Sequence, residues 1–542
     1  MGRGVGRGGS IGRRICVSIV LMSAVGPALF VTGLSYDLPK IIISLLVAEA
    51  AVALMFFLPR RVGDLSQAGK GARLLFLLWL ACSLFGGYRM ARLSPYMYDA
   101  ADKTYAFVPK IRDLDDPDLT KPFLDRHNCF TCYAIAAHLA TEGVENLYDR
   151  ERYRDAEIQT EIHETIGEVL TIDTYQYPPP FLILPRLLQA MTSDFFHMRT
   201  LWFGVNLVLL AATFLAFVAW LSDWSFRAYW FVWPALLTAS TMVGTLVIGN
   251  AHLFIILISL LALVAFEKRR HMLGGALLGF GVVSKLFPGV LVLYRVARRR
   301  WRAVFWTCGA SAIYVIATFV MFGAKPFTAF DNYQAPRLAS GEAFSFAFER
   351  LRPTMNNSSV LGIVYKFARL GLYSIESAGG IAKIVTWAFS GLLVVVAVWV
   401  GLRHGRGSPR AGLDTETSSS EMTRMWSARV WIALLVLAQL RSPFLPWGYG
   451  NVAVIWLVVM MLPPPGSYHL SAWLVVPLWA LFTPTVPLFF GPLTETFDLV
   501  YTLVAAVLVV GLCLITVIRY SRAPRSSFLT EQASADVEPG VC

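Results

Sequence analysis

The chain has 542 residues, 56% of them hydrophobic and only 15% charged, with a mean hydropathy of +0.58 and a net charge of +12. A soluble domain carries about 25% charged residues, so the composition excludes an ordinary soluble protein and indicates a polytopic membrane protein. The excess cations sit in short clusters between apolar runs, where topology signals belong, and form no basic stripe interleaved with aromatics, which excludes nucleic-acid binding.

The basic stretch Arg3 to Arg14 precedes an apolar run from Ile15 to Gly33. That run is as long as a spanning helix needs and exceeds the roughly 7–15 residues of a cleaved signal, so it reads as an uncleaved first span. Apolar runs follow near 40–58, 73–90, 200–221, 228–248, 251–266, 303–322, 379–402, 428–440, 450–462, 470–489 and 497–518. Several fall short of the roughly 20 residues of an ideal span, which is tolerated where backbone lines a protein cavity. The run 272–293 is broken by Gly279-Phe280-Gly281 and Ser284-Lys285-Leu286-Phe287-Pro288, and is flanked by cations on both sides, Lys268–Arg270 before it and Arg295–Arg302 after it. Both ends are therefore expected on the cytoplasmic face, which predicts a re-entrant pair of half-helices.

The expected fold class is an all-α polytopic membrane protein: a bundle of about 12 transmembrane helices plus re-entrant elements and a long extracytoplasmic first loop. The organisation reads as an N-terminal three-span region (1–90), an extracytoplasmic loop (91–199), a membrane core (200–402), a flexible Ser/Thr/Gly-rich cytoplasmic linker (403–427), C-terminal spans (428–518) and a cytoplasmic tail (519–542). The positive-inside rule places both termini in the cytoplasm. The short run 179–191, with Pro185 and Arg186, is expected to dip into the outer face.

Between Arg92 and Arg199 the chain turns polar and carries 18 of its 35 Asp and Glu. An insert of that length is too long for a plain connection and reads as functional. Asp125 lies just ahead of a helical pattern starting near Tyr133; a carboxylate there can act as general base on a sugar hydroxyl or simply start a helix. Cys129 and Cys132 form a lone CxxC. Without a second pair it argues against a zinc ribbon and leaves a local disulfide, a redox pair or two packed thiols. Tyr177-Pro178-Pro179-Pro180 is a stiff run that can hold an aromatic over a substrate or open a helix.

Beyond the loop, His252 follows Gly249-Asn250 at a turn between two spans and can serve as an acid–base or hydrogen-bonding group. Lys285 lies in the broken run, where a cation either pairs with a lipid phosphate or reaches the cytoplasmic interface. Arg350 and Arg352 precede Asn356-Asn357-Ser358-Ser359 in an outer loop, where guanidinium forks suit phosphate or simply face water. No nucleotide-binding glycine pattern or HExxH occurs.

In this order the motifs resemble the GT-C class of membrane glycosyltransferases, specifically the polyprenyl-phosphate-mannose-dependent glycosyltransferase family 87. The most specific block is Gly249-Asn250-Ala251-His252, then Glu267–Arg270, Gly274-Gly275, Ser284-Lys285-Leu286-Phe287-Pro288 and the basic cluster Arg298–Arg302. A second block is Tyr133, Ala136-Ala137, Gly143, Leu147-Tyr148-Asp149 and Tyr177-Pro178-Pro179. Asn357-Ser358-Ser359 and Arg441-Ser442-Pro443-Phe444-Leu445-Pro446-Trp447 are similar to the family's later loop motifs. Two features depart from the pattern. Asn128 or Cys129 falls where the family carries its catalytic Asp, and Trp447 is followed by Gly448-Tyr449-Gly450 where the family often has His.

The resemblance implies an inverting glycosyltransferase. The catalytic base would be Asp125. Substrate would be held by Tyr133, Tyr148, Tyr177, His252, Asn357, Trp447 and Tyr449, and the lipid phosphate by Lys285, Arg350 and Arg352. The donor would be a polyprenyl-phosphate sugar in the bilayer and the acceptor a glycan or glycolipid. No cofactor and no metal is expected, because the lipid phosphate is already a good leaving group. The setting would be the inner (plasma) membrane. A transporter or flippase of a lipid-linked saccharide is the alternative.

Overall fold

The computed structural model describes residues 70–98, 127–153, 170–221, 240–406, 421–460 and 495–521, together with Trp233, Leu236 and Leu237. The expected spans at 15–34, 40–58 and 470–489, most of the 405–424 linker and Asp125 lie outside these residues. The described chain is helical, with two isolated β-bridges, His127 with Thr171 and Asn357 with Pro446. We number the helices of eight or more residues: α1 Lys70–Tyr98, α2 Phe130–Thr141, α3 Ile183–Met191, α4 Phe195–Leu221, α5 Ser240–Ile248, α6 Ala251–Glu267, α7 His271–Lys285, α8 Gly289–Ala297, α9 Trp301–Phe322, α10 Val360–Arg369, α11 Ile375–Arg406, α12 Glu421–Gln439, α13 Val452–Met460 and α14 Glu495–Tyr520.

Among the described residues four helices are long and apolar enough to cross a membrane alone: Phe195–Leu221, Trp301–Phe322, Ile375–His404 and Leu499–Tyr520. Met242–Ile248 and Ala251–Glu267 qualify together but fold back on each other by 116°. That angle marks a turn between two elements, as expected at Gly249-Asn250, and not a kink in one helix. Gly249 supplies the left-handed backbone of the turn (φ 67°), and Asn250 caps α6 by accepting from the His252 N–H at 2.9 Å.

The broken run 272–293 resolves into the hairpin α7–α8. Leu286 takes φ 42° and Pro288 begins the return, since proline lacks the N–H that would continue α7. The hairpin comes back to the face it left: the Arg295 guanidinium near the end of α8 meets Glu267 at the end of α6, 3.2 Å apart. The packing of α9 agrees. Gly275 of α7 abuts Trp306 and Gly279 abuts Thr307 and Ala310, so α7 and α9 run parallel, and parallel neighbours require a return element between them. Gly275 and Gly279 form a small-xxx-small stripe that lets the two backbones touch.

The turns at Lys268–Arg270 and Arg298–Arg300 share one design. The N–H of Arg270 bonds to Ala265 O and that of Arg269 to Phe266 O; Arg300 bonds to Arg295 O and Arg299 to Val296 O. These are Schellman caps with arginine in the left-handed position (φ 58° in both) where glycine is usual. Arginine there forgoes backbone ease but places a cation against a helix C-terminus.

The molecule thus has a basic end, marked by these turns with His404 and Tyr520, and an opposite tyrosine end. One apolar core fills the bundle around Leu257, Leu260, Trp431, Leu435 and Trp456. A second lies under the tyrosine end, where α2 packs with Phe181, Phe195 and Trp202. The run 179–191 forms a short 3-10 turn, Pro179–Leu182, followed by α3, and Gln189 Nε2 donates to Ala134 O at 2.8 Å to join it to α2. Along their length α9 and α11 expose apolar side chains, Phe305, Ile313, Val320, Ile384 and Trp387 among them, as suits a surface that meets lipid.

Candidate active site

The Gly249-Asn250 turn is clamped from two sides. Asn128 Nδ2 donates to Val247 O at 2.8 Å, the Cys129 N–H to Ile248 O at 2.7 Å, and Trp202 Nε1 to Gly249 O at 2.8 Å. The Ala251 N–H donates to Tyr133 Oη at 3.0 Å. Through these bonds the chain segment before α2 is fixed on the N-terminus of α6.

Across this platform lies a hydrogen-bonded chain of side chains. Tyr133 Oη donates to Tyr177 Oη at 3.1 Å, and Tyr177 Oη donates to Asn250 Oδ1 at 3.3 Å. Lys285 Nζ, at the apex of the α7–α8 hairpin, donates to Tyr177 Oη at 3.4 Å and lies 4.9 Å from the Tyr177 ring centre and 5.8 Å from that of Tyr449. Among the described residues no carboxylate is paired with Lys285. Fifteen helical residues, about 22 Å of rise, separate it from the basic end. Lys285 thus sits at the end of α7 opposite the basic turns.

His252 enters from α6. Gln439 Nε2 donates to Gly450 O at 2.7 Å, which turns the amide oxygen Oε1 toward His252 Nε2 at 2.7 Å. An amide oxygen only accepts, so Nε2 carries the proton and Nδ1 is a bare acceptor, buried and without a partner among the described residues. The ring stacks on Phe287 at 5.0 Å and meets Tyr449, tilted, at 5.4 Å.

Beside the tyrosines, His127 Nε2 and Asp173 Oδ2 are 3.3 Å apart. Burial raises the pKa of Asp173, and His127 opposes that shift. Cys129 and Cys132 are free thiols; Cys132 Sγ donates to Cys129 O at 3.2 Å, so the CxxC is two packed thiols on one helical turn and not a disulfide.

The structure brings Tyr133, Tyr177, His252, Lys285 and Tyr449 to one place. Tyr148 sits behind it, buried, its hydroxyl donating to Tyr177 O at 2.9 Å and so holding the backbone that presents Tyr177. Asn357 is engaged elsewhere. Its Oδ1 accepts from the Ser359 and Leu445 N–H groups, each at 3.0 Å, and its Nδ2 donates to Pro443 O at 3.1 Å. Asn357 therefore staples the α10 entry to the 441–447 turn. Asn357→Ala, which strands buried backbone donors, is expected to cost roughly 2–5 kcal/mol, read as a lowered thermal unfolding midpoint in detergent. Arg350 is exposed and no hydrogen bond or ion pair joins it to the cluster among the described residues, while the side chains of Arg352 and Trp447 lie outside them.

Sequence reasoning did not assign Asn250, Gln439, His127 or Asp173. Asn250 stood in the quoted turn motif, and Asp173 stands four residues before Tyr177. Gln439 is one polar residue at the end of an apolar run and carried no signal. No curated protein and no solved structure matches the chain. A family model does, from Tyr175 in the tyrosine cluster through the turn at Asn250 and the Lys285 hairpin to the first turns of α12. Its residues, 175–427, are those that build the Lys285–Tyr177–Asn250 chain, and the model they match is that of glycosyltransferase family 87.

Proposed function

We propose that the protein transfers a hexose, in first place mannose, or a pentose, from a polyprenyl-phosphate sugar to a glycan or lipid acceptor on the extracytoplasmic face of the plasma membrane, with both termini cytoplasmic. The observation that carries this reading is Lys285: a cation without a carboxylate partner among the described residues, set among hydroxyls and amides at the end of the molecule remote from the basic turns. Such a group is expensive to keep unless an anion visits it, and a lipid phosphate arrives at that depth.

In this reaction the acceptor hydroxyl oxygen attacks the anomeric carbon from the face opposite the phosphate. The bond from that carbon to the phosphate oxygen breaks, and the configuration inverts. The hydroxyl proton passes to Asp125, two residues before His127 in the sequence. The leaving phosphate gains negative charge, which Lys285 offsets at the moment it develops. Tyr177 and Tyr133 orient the donor, and the bare His252 Nδ1 accepts from a sugar hydroxyl. Arg350 and Arg352 guide the phosphate from the outer loop.

The test is transfer by the full-length protein in lipid nanodiscs, with polyprenyl-phosphate mannose and a mixed glycolipid acceptor. Asp125→Asn is expected to lower turnover by about 10²–10⁴ with donor affinity retained, whereas the exposed Glu145→Gln is expected to behave as wild type. Undiminished turnover in Asp125→Asn removes Asp125 as the base. Donor movement across the bilayer without any transfer replaces the whole reading by a transporter.

A further inference from the structure

Three potential metal ligands meet at the edge of the tyrosine cluster. His127 and Cys129 come from the segment before α2, and Asp173 from the segment before Tyr177. The two segments are set side by side by the parallel bridge of His127 with Thr171. His127 Nε2 lies 3.3 Å from Asp173 Oδ2 and 3.9 Å from Cys129 Sγ, and all three ligand atoms fall within 4.8 Å of one another. A tetrahedral zinc ion, with metal–sulfur bonds of about 2.3 Å and metal–nitrogen and metal–oxygen bonds of about 2.0–2.1 Å, sets its ligands about 3.3 Å (N to O) and about 3.6 Å (S to N) apart. The N-to-O edge matches, the S-to-N edge is about 0.3 Å long, and a side-chain adjustment brings the sulfur and the carboxylate, within 4.8 Å, onto one ion.

An ion pair between His127 and Asp173 would explain two of these groups but not the third. The Cys129 sulfur receives a hydrogen bond from Asn250 Nδ2 at 3.3 Å, the outer contact that tunes a metal-bound thiolate. Asp173 is held in turn: its backbone N–H donates to Thr131 Oγ1 at 3.3 Å, and Thr131 Oγ1 donates to Asn128 O at 2.9 Å. Both ligand segments are thus anchored on one pair of residues, Asn128 and Asn250. One nitrogen, one sulfur and one oxygen suit a borderline ion such as zinc and not magnesium or calcium, which take oxygen alone.

We propose that His127 Nε2, Cys129 Sγ and an Asp173 carboxylate oxygen bind one zinc-class divalent ion, with a fourth position open to water or a substrate oxygen. Three protein ligands and one open position is the pattern of a catalytic and not a structural zinc. This departs from the metal-free expectation and uses Cys129 without Cys132, so it is not a zinc ribbon. The ion's presence is independent of the proposed reaction. Its role, polarising an oxygen of donor or acceptor beside Lys285 while Asp125 takes the proton, rests on that reading.

The experiment uses the full-length protein in detergent, stripped by a chelator and reloaded with zinc or cobalt. One equivalent of zinc is expected, and cobalt is expected to show a sulfur-to-metal charge-transfer band that Cys129→Ser abolishes and Cys132→Ser keeps. His127→Ala and Asp173→Asn are expected to weaken zinc by more than about tenfold, with thermal unfolding of the stripped proteins showing that each variant folds. Substoichiometric zinc in the folded wild type, or a charge-transfer band that survives Cys129→Ser, overturns the site. So does Asp173→Asn that keeps its zinc but loses transfer, which makes Asp173 the base instead. Asp125→Asn is expected to keep the metal. Stoichiometric zinc in a protein that transfers no sugar sinks the proposed reaction and leaves the metal site standing.

Discussion

Lys285→Met is expected to lose about two to three orders of magnitude in turnover while the protein keeps or gains stability. The two effects separate because of where the lysine sits. Its ammonium has a tyrosine hydroxyl and two aromatic faces for company and no described carboxylate, so the folded protein holds it at a desolvation cost. Methionine fills a similar volume, removes that cost and leaves Tyr177 bonded to Tyr133 and Asn250. What is lost is the charge that meets the departing phosphate. Because that charge matters most as the bond breaks, turnover should fall more than donor affinity. Lys285→Arg, which keeps the charge but spreads it over a wider fork, is expected to recover part of the turnover. The measurement is single-turnover transfer in nanodiscs alongside thermal unfolding. Turnover within about threefold of wild type in Lys285→Met would remove the lysine from the phosphate site.

Gly275→Val is expected to destabilise the protein by about 1–3 kcal/mol and also to slow transfer by tenfold or more. A β-carbon at Gly275 would stand 2.6 Å from the Trp306 carbonyl carbon and 2.8 Å from the Thr307 nitrogen. Those are backbone atoms and cannot swing aside, so α7 must move off α9. Lys285 is ten residues further along the same rigid helix, and its distance to Tyr177 changes with the tilt. A displacement of about 1 Å from productive geometry can cost about 10²-fold in rate. Gly309→Ala on α9 is the control, since its added methyl meets nothing within 4 Å. Unfolding midpoint and transfer rate, read on the same preparations, check the coupling. A destabilised Gly275→Val with normal transfer would show that the hairpin apex is positioned independently of α9.

The sequence made some of this legible and hid the rest for physical reasons. Periodicity and length located α4, α6, α9, α11 and α14, because a span must be long and apolar whatever it packs against. The hairpin was legible from two basic clusters flanking a glycine- and proline-broken run. Tyr133, Tyr177 and Lys285 were legible as motif members. Their convergence was not, since it depends on the 116° turn at Gly249-Asn250 and on clamps from residues more than 100 positions away. Asn357 shows the opposite case: its motif reads as a substrate contact, yet three backbone partners occupy its side chain. Asp173 was hidden among the acids of a polar loop, and only its distance to His127 sets it apart.

The hairpin also bears on how the protein is made. An element that re-emerges on its face of entry adds nothing to the count of crossings, so the orientation of every later span is the same with or without it. By the positive-inside rule, the arginines that cap α6 and α8 at Arg269 and Arg299 favour keeping both helix ends on one side. The segment that carries Lys285 is thereby released from any part in setting topology, and its apex can change in length or composition across evolution without inverting the downstream helices.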